Sequence, residues 1–582
     1  MSSRLDGPRE GDGMALVHAQ RNATWSSHLA SALVANGLRH AVISPGSRNT
    51  PLVLALDAVL GDRALVVLDE RSAGFVALGL ARASGQPVAL LCTSGSAAAH
   101  YFPAIIEAHY SRVPLVVITA DRPPELHHNG AGQSIEQENL YGSYVRWSAS
   151  LGAPGDSAAP RTWGHMAARA IGVATGVNPG PVHLNAAFRE PLWAPGVGYG
   201  PPSQDAMLVQ RGGNTAISLE PVRERVAKAK RGIIVCGPRA SGAALSADVG
   251  FAAAVSKLGE RLGWPVLTDA ISGARRDGTI ATYDALLRSS TFADAMRPDL
   301  VLRFGQLPAS KPLAAWLNNA STSTILVEPS GALHDPASVA DMLIACDPTA
   351  LCTELAKTAE RGVDGWLAQW QGAEREARRV LADAVSDGFW EGAIAACVGR
   401  ALPANALLHV ASSMPVRDLE SYAARVPVVT ANRGANGIDG TIATACGAAL
   451  AWDGPTVALL GDLAFLHDVG SLATARALNA NLTLIVVDNH GGGIFDFLPI
   501  AAHEPRIFAR YFSTPQEIDI AATAAAFGFT TTKVGSLPEL EQALAGAGHG
   551  RRLIHAVVDR SRNVTRHRAS ANAVARALEA IK

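Results

Sequence analysis

The sequence predicts an α/β fold made of three doubly wound domains, each built on a parallel sheet. Short apolar runs that fit buried strands alternate regularly with segments whose apolar residues recur at helical spacing. The chain has 582 residues, which is too long for a single core and fits three or four domains. The predicted domain limits are residues 14–192, 214–362 and 388–582.

The first predicted domain starts with an amphipathic helix and continues with strands separated by helices. Trp25, Leu29 and Leu33 fall on one face of that helix, and Gly37 ends it. Residues 1–13 are polar and lack an apolar stretch, so they predict a frayed tail rather than a signal peptide or an anchor. The predicted strands of this domain are residues 40–43, 64–68, 87–92 and 114–119.

Proline and glycine cluster in residues 193–213, which predicts a linker to a second α/β domain. That domain has no GxGxxG motif, so its sequence gives no indication of a bound dinucleotide. Residues 365–387 are rich in arginine and glutamate and predict a helical connector to the third domain. The predicted strands are residues 232–236, 265–267, 300–304 and 324–327 in the second domain, and 407–411, 428–430, 456–460, 482–487 and 553–558 in the third.

Composition excludes several classes of function. The formal net charge is −1 and the basic residues are scattered, so nothing indicates a nucleic acid partner. Apolar runs stay far below the roughly 18 residues of a spanning helix, which predicts no membrane insertion. The six cysteines contain no CxxC pair and predict reduced, mostly buried thiols in a cytoplasmic protein. The seventeen histidines show no HxxxH spacing that would indicate a metal site.

Polar residues follow two strands of the third domain. Asp462 follows the strand at 456–460, and Asn489 follows the strand at 482–487, with Gly491 in the next turn. A helical segment between the two strands predicts a parallel βαβ unit, so neighbouring strands would end about 5 Å apart at one edge. Carboxylate, amide and peptide oxygens suit Mg²⁺. The alternative is a helix N-cap followed by a flexible glycine turn.

Four arginines stand just past predicted strand ends: Arg48, Arg122, Arg417 and Arg433. Strand ends of such sheets share one rim, and arginine binds carboxylates in a planar, bidentate manner. Convergence of the four on one cleft would imply substrates with several carboxylates. The alternative is that each is a surface arginine or part of an ion pair.

Glu70 lies at a strand end between Asp69 and Arg71, before a helix rich in alanine and glycine. It is either a functional carboxylate or a solvated acid in the first helical turn, and Asp69 competes for any role assigned to it. Ser47 and Ser94 lack the GxSxG sequence of a nucleophile elbow, so a hydrolase triad is not supported.

Several motifs resemble one enzyme family. Gly461-Asp462 followed by Asn489 is similar to the thiamine diphosphate fingerprint, GDG followed by NN. Five segments resemble those of the 2-succinyl-5-enolpyruvyl-6-hydroxy-3-cyclohexene-1-carboxylate synthase family, called MenD. They are SPGSRNTPL (44–52), LDERSAGF (68–75), TSGSAAAH (93–100), TADRPPEL (119–126) and ANRGANGIDGT (431–441). The resemblance covers almost the whole chain.

The resemblance implies a pyrimidine-binding domain, a central α/β domain and a diphosphate-binding domain of the thiamine diphosphate fold type. It implies decarboxylation of 2-oxoglutarate and conjugate addition of the resulting succinyl carbanion to isochorismate, in menaquinone biosynthesis. The cofactors would be thiamine diphosphate and Mg²⁺, which Mn²⁺ can replace. The assembly would be a homodimer or a homotetramer, with active sites at the subunit interface.

The resemblance also implies roles for residues. Glu70 would be catalytic through a hydrogen bond to the aminopyrimidine ring, and Ile438 would keep the cofactor bent. Asp462, Asn489 and Gly491 would bind the metal. Other cofactor contacts would be Thr93, Gln133, Ser413, Met414, Leu463, Ala464, Gly493, Ile494 and Phe495. Substrate contacts would be Ser47, Arg48, Arg122, Gln133, Lys311, Arg417 and Arg433.

The chain departs from the family pattern in places. The fingerprint reads GDL and ends in Asn489-His490. Gly132 precedes Gln133, where relatives often have asparagine. Ser310 precedes Lys311, where others have a second basic residue. Two alternatives stay open. One is another thiamine diphosphate-dependent 2-oxoacid decarboxylase or carboligase, and the other is a non-catalytic regulator that kept the fold.

Overall fold

A computed structural model describes residues 10–156, 159–202, 206–209, 218–239, 245, 248–318 and 322–580. Within these residues, three sheets form, and every strand pair in them is parallel. Helices lie between the strands along the chain. This architecture confirms the predicted α/β class with three parallel-sheet domains, while the domain limits themselves stay a prediction.

The first sheet carries the residues predicted around Arg48 and Glu70. Its strands are β1 His40–Ile43, β2 Ala64–Val66, β3 Val88–Cys92, β4 Leu115–Asp121, β5 Ser148–Ser150 and β6 Val182–Ala187. The order across the sheet is β2-β1-β3-β4-β6-β5. Its helices are α1 Glu10–Ala35, α2 Thr50–Leu60, α3 Glu70–Ser84, α4 Ser96–His100, α5 Phe102–Ser111 and α6 Arg161–Ala174.

The second sheet has the strand order β11-β10-β9-β7-β8. These strands are β7 Gly232–Cys236, β8 Val266–Thr268, β9 Leu300–Phe304, β10 Ser323–Val327 and β11 Met342–Ile344. The helices of this part are α7 Glu220–Lys228, α8 Asp248–Leu262, α9 Tyr283–Leu286, α10 Ser290–Ala295, α11 Lys311–Leu317, α12 Pro348–Thr358 and the connector α13 Trp366–Ser386.

The third sheet has the order β13-β12-β14-β15-β17-β16. These strands are β12 Leu407–Val410, β13 Val428–Thr430, β14 Thr456–Gly461, β15 Leu482–Asp488, β16 Thr530–Val534 and β17 Arg551–Val557. The helices are α14 Glu391–Ala401, α15 Met414–Tyr422, α16 Thr441–Ala449, α17 Asp462–His467, α18 Ser471–Ala477, α19 Ile500–His503, α20 Pro505–Phe508, α21 Ile520–Ala526, α22 Leu537–Leu544 and α23 Asn563–Glu579.

Every strand predicted from the sequence is present, with ends within two residues of the prediction. The predicted tail was partly wrong, because α1 already begins at Glu10, while residues 1–9 lie outside the described residues. Residues 203–205 and 210–213 of the predicted linker also lie outside them. The sequence analysis missed β5, β6, β11 and β16.

Two further predictions can be compared with the structure. All six cysteines are free, and five of them are buried, as predicted for reduced thiols. Among the described residues, none of the helices combines the length and the apolar character needed to cross a membrane.

The chain divides into two compact units. The first comprises residues 1–212 with 241–243 and 446–451, and the second comprises the rest, including the second and third sheets. Inside the second unit, the buried guanidinium of Arg275 donates to Glu420 Oε2 at 2.6 Å and to the carbonyl of Ala423 at 2.9 Å. The same Glu420 oxygen accepts the backbone N–H of Ala270 at 2.6 Å. This pair therefore fastens the central part of the chain to α15.

Replacing Arg275 by methionine is expected to destabilise the protein by about 3–5 kcal/mol, because Glu420 would remain buried without its charged partner. The exposed pair of Arg288 with Asp284 is the control, with nitrogen and oxygen 2.9 Å apart. Arg288→Met should cost less than about 1 kcal/mol. Urea unfolding of both variants measures the difference, and equal midpoints would contradict the assigned role of Arg275.

Candidate active site

Asp462 and the turn after β15 meet at the carboxyl edge of the third sheet. Strands β14 and β15 are parallel neighbours, with Gly461 opposite Val487. The backbone N–H of Gly491 donates to Asp462 Oδ2 at 2.6 Å, and that of Leu463 donates to Oδ1 at 2.8 Å. The structure thus brings together the residues that the strand pattern predicted to be close. Their role as metal ligands stays a prediction.

The side chain of Asn489 is oriented by a buried carboxyl that the sequence analysis did not identify. Its Nδ2 donates to Glu391 Oε1 at 3.3 Å. Its Oδ1 is buried and accepts no hydrogen bond from the described part of the chain. A buried amide oxygen without a partner is costly unless something else binds it, and a hard cation is one such partner.

Buried carboxyl groups make this edge favourable for a cation. Burial raises the pKa of Asp462 to about 6, with a smaller contribution from Asp488, although two backbone N–H groups oppose the shift. Burial and the nearby Asp418 raise the pKa of Glu391 to about 7. Among the described residues, no cluster of three His, Cys, Asp or Glu side chains could hold a metal. The candidate set here instead combines one carboxylate with amide and peptide oxygens.

A cavity of about 440 Å³ opens beside Asp462 and Asn489. Its volume lies in the range of small-molecule sites. All site residues predicted within residues 388–582 line it. They are Ser413, Met414, Arg417, Arg433, Ile438, Asp462, Leu463, Ala464, Asn489, Gly491, Gly493, Ile494 and Phe495. Lys311 does not line this cavity; it is the exposed first residue of α11.

The glycines of the turn are required by close packing. Gly491 has φ +127°, and a Cβ there would stand 2.2 Å from the carbonyl oxygen of Ser513. A Cβ on Gly493 would stand 2.5 Å from Nδ2 of Asn489. Across the cavity, Ser413 has φ +75°, a conformation that non-glycine residues rarely adopt. Strained backbone of this kind occurs preferentially at functional sites.

Two of the four predicted arginines lie together at this cavity. Nη1 of Arg417 donates to the carbonyl of Ser413 at 2.5 Å. Burial lowers the pKa of Arg417, and the positive charge of Arg433 lowers it further. Two guanidinium groups that repel each other in a half-buried site favour an anionic ligand.

The other two arginines lie together at the carboxyl edge of the first sheet. Arg48 is buried and donates from Nη1 to the carbonyl of Phe188 at 2.9 Å and from Nη2 to Glu190 Oε1 at 2.8 Å. Arg122 donates from Nη1 to Ser94 Oγ. Burial and the charge of Arg122 lower the pKa of Arg48. The ion-pair alternative therefore holds for Arg48 in this structure, and sequence reasoning missed its partner Glu190.

The structure separates the roles of Asp69 and Glu70. Asp69 is the N-cap of α3, and its Oδ1 accepts the N–H groups of Arg71 at 2.9 Å and Ser72 at 3.4 Å. Glu70 begins the helix, and its charge contributes to raising the pKa of the buried Cys92 thiol at the end of β3. Asp69 therefore has a structural role as the cap, and the action of Glu70 on a ligand stays a prediction.

The remaining predicted residues of the first unit lie in loops. Thr93 Oγ1 accepts the backbone N–H of Arg48 at 3.2 Å. Ser47 is exposed in the same turn as Arg48. Gln133 is exposed and has φ +55°. It packs closely against Gly95, because a Cβ added to Gly95 would stand 3.2 Å from the Cβ of Gln133.

Comparison with known proteins identifies the family. Three family profiles match successive parts of the chain: the N-terminal TPP binding domain of thiamine pyrophosphate enzymes at residues 23–140, the middle domain at 210–410 and the C-terminal TPP binding domain at 421–556. The 2-succinyl-5-enolpyruvyl-6-hydroxy-3-cyclohexene-1-carboxylate synthase of Myxococcus xanthus is 43% identical over 94% of this chain and 97% of its own. The chain belongs to this synthase family.

Other comparisons agree with this family. The synthase of the same name from Geobacillus kaustophilus is 40% identical over 95% of this chain and 98% of its own. The solved structure of benzoylformate decarboxylase from Polynucleobacter necessarius superposes with a TM-score of 0.68 at 19% identity, covering 93% of this chain and 99% of that one. At that identity the likeness supports the fold alone. The chain is therefore a thiamine diphosphate-dependent enzyme of the MenD family.

The raised pKa of Asp462 predicts a pH-dependent effect on the ligand-free protein. A carboxyl whose pKa is about 6 when folded, above its unfolded value, stabilises the fold in acid, and this stabilisation is lost as the pH rises through 6. Asp462→Asn should therefore gain about 2 kcal/mol relative to the wild type between pH 4 and pH 8, because the unfolded carboxyl is already partly ionised at pH 4. Urea unfolding at both pH values measures this change. If the difference in free energy of unfolding between the two proteins did not vary with pH, the raised pKa of Asp462 would be refuted.

Proposed function

We propose that the chain decarboxylates 2-oxoglutarate and adds the remaining succinyl unit to isochorismate. The product is 2-succinyl-5-enolpyruvyl-6-hydroxy-3-cyclohexene-1-carboxylate, a precursor in menaquinone biosynthesis. The observation that carries the proposal is the 43% identity, over nearly the full length, to a synthase named for this product. The cavity, which combines metal-type ligands with paired arginines, supports it.

Thiamine diphosphate, when bound, supplies the electron sink that decarboxylation of a 2-oxoacid requires. Asp462, Asn489 and the carbonyl of Gly491 would hold Mg²⁺ or Mn²⁺ against its diphosphate. The buried Oδ1 of Asn489, which has no partner among the described residues, and the carboxylate of Asp462 support this assignment. Ile438 would support the bent cofactor from the cavity wall. Further contacts are assigned to Thr93, Gln133, Ser413, Met414, Leu463, Ala464, Gly493, Ile494 and Phe495.

Glu70 would hold a proton at the ring nitrogen of the aminopyrimidine. The capping role of Asp69 supports the choice of Glu70 over its neighbour. The carboxylates of the two substrates would be bound by Arg48, Arg122, Arg417 and Arg433, helped by Ser47, Gln133 and Lys311. The two observed arginine pairs support a site for polyanionic substrates.

We also propose a homodimer or homotetramer with active sites at the subunit interface. Exposed apolar side chains just before Glu70 support it, because Val66 is 57% and Leu68 is 83% exposed. The six free cysteines support a cytoplasmic location. The domains would be the pyrimidine-binding part at residues 14–192, the central part at 214–362 and the diphosphate- and metal-binding part at 388–582.

One assay tests the proposed function. Purified protein is supplied with thiamine diphosphate, Mg²⁺ and 2-oxoglutarate, with and without isochorismate, while carbon dioxide and the adduct are followed. Formation of the adduct with isochorismate supports the proposal. Release of carbon dioxide without adduct, or turnover of pyruvate instead of 2-oxoglutarate, would favour another 2-oxoacid decarboxylase. Absence of turnover with bound cofactor would favour a non-catalytic regulator.

Glu70→Gln is expected to lower kcat by about 10²–10⁴-fold, the usual contribution of a positioned proton donor or acceptor. Thiamine diphosphate should still bind, because the amide keeps the shape of the side chain. Asp69→Asn is the matched control, since asparagine is also a good N-cap, and it should retain activity within about threefold. Full activity of Glu70→Gln would remove Glu70 from the reaction.

Arg433→Ala is expected to lower kcat/KM for at least one substrate by about 10–100-fold, through loss of a charged hydrogen bond to a carboxylate. Steady-state kinetics with each substrate varied in turn measures the effect. The exposed Arg476 on α18 provides the control variant Arg476→Ala, which should behave like the wild type. Unchanged kinetics of Arg433→Ala with both substrates would exclude it from carboxylate binding.

A further inference from the structure

Arg560 joins several segments around the predicted metal-binding turn. It follows β17, which pairs with β15 so that Val557 lies opposite Asp488. Its Nε and Nη2 donate to Asp496 at 2.5 and 2.8 Å. Its Nη1 donates to Ser513 Oγ at 2.7 Å. The side chain is 18% exposed, so these bonds are largely sheltered from water.

Arg560 also binds the backbone carbonyls of the two residues that flank Gly491. Nη1 donates to the carbonyl of His490 at 3.4 Å and Nη2 to that of Gly492 at 3.3 Å. The N–H of Gly492 donates in turn to the carbonyl of Ser513 at 2.7 Å. The orientation of the Gly491 peptide is therefore fixed from outside the cavity by one guanidinium and the segment that it holds.

These contacts occupy every donor of the guanidinium. Arginine has five N–H groups, and the contacts to Asp496, Ser513, His490 and Gly492 use all five. The group therefore has no donor left for a substrate carboxylate. The paired geometry with Asp496 needs the planar fork of arginine, which lysine cannot supply.

We propose that Arg560 is a positioning residue for the metal and cofactor site. It fixes the orientation of the Gly491 peptide, whose carbonyl would bind the divalent cation and here accepts the N–H of Gly493 at 2.8 Å, and it fastens residues 493–513 to the same turn. That segment includes Gly493, Ile494 and Phe495, which line the cavity. The inference rests on the proposed function, because the role of Gly491 as a ligand is part of it.

The test compares Arg560→Met with the wild type in two measurements. The first titrates Mg²⁺ at saturating thiamine diphosphate, and then thiamine diphosphate at saturating Mg²⁺, by tryptophan fluorescence. The variant should bind Mg²⁺ about 10–100-fold more weakly, as expected when a group that orients a metal ligand is removed. The second is limited digestion with trypsin. Cleavage after Arg506 and Arg510 should become about tenfold faster, because the segment that carries them is released.

The control is Arg562→Met, an exposed arginine in the same short turn, which should match the wild type in both measurements. Unchanged Mg²⁺ affinity in Arg560→Met would overturn the inference. If that variant does not fold, Asp496→Asn decides, since it keeps the shape and removes the ion pair. A loss of about 3–10-fold in Mg²⁺ affinity with an unchanged melting temperature supports the inference, and wild-type affinity overturns it. A wild type that binds neither Mg²⁺ nor thiamine diphosphate overturns the proposed function, and with it the inference.

Discussion

Parallel pairing of β14 with β15 is the constraint on which the candidate site depends. The pairing places the end of both strands at one edge, so that the N–H of Gly491 reaches the carboxylate of Asp462. The two strands are buried along almost their whole length, so their register is set by the core. A shift of one residue would move every core side chain to the opposite face of the sheet, where it does not fit, and would also move the two loops apart. The core and the site are therefore specified by the same contacts.

Buried polar groups at the edge of the first sheet satisfy one another rather than water. In the first unit, Asn185 donates to Asp121 Oδ2 at 2.8 Å and accepts from Gln137 at 3.0 Å. Gln137 in turn accepts the N–H of Gly95 at 2.8 Å, next to Ser94, which Arg122 contacts. Such networks are stable when each member has a partner, and they hold loops in a single conformation. This network therefore holds the loop that Arg122 contacts, and its members need not touch a ligand themselves.

Sequence patterns predicted most strands, because apolar runs and turn residues are local signals. Most of the residues that line the cavity beside Asp462 were instead predicted from the family resemblance. Strand β6 was not predicted from the sequence because buried polar residues interrupt its apolar pattern. The hydroxyl of Thr119 forms hydrogen bonds with His183 Nε2 and with Asn185 Oδ1, each at 2.7 Å. Burial lowers the pKa of His183 to about 4. Strand β16 escaped because it is short and largely polar. Patterns of hydrophobicity cannot reveal a polar residue whose partner lies far away in the chain.

The same reason explains which site residues were missed. Glu190 and Glu391 act on the predicted residues Arg48 and Asn489 from 142 and 98 positions away, and Arg560 contacts both neighbours of Gly491 from 70 and 68 positions away. Nothing in their immediate sequence distinguishes them from surface charges. By contrast, Asp462 and Asn489 stand directly after strands, and Asp69 and Glu70 differ in that Asp69 caps α3. Three-dimensional structure added the supporting residues rather than the principal ones.

Glu190 is the counter-ion of Arg48 within this chain. The guanidinium is buried, whereas the side chain of Glu190 is 70% exposed and can return to water at low cost. A ligand carboxylate that displaced Glu190 would replace the existing ion pair with Arg48 by another. The net gain in free energy would therefore be smaller than for pairing with a free guanidinium. Chloride and other weakly bound anions would gain too little from that exchange to displace the glutamate. If Arg48 binds a substrate carboxylate, as proposed, Glu190 would favour a ligand that is held by further contacts over abundant small ions.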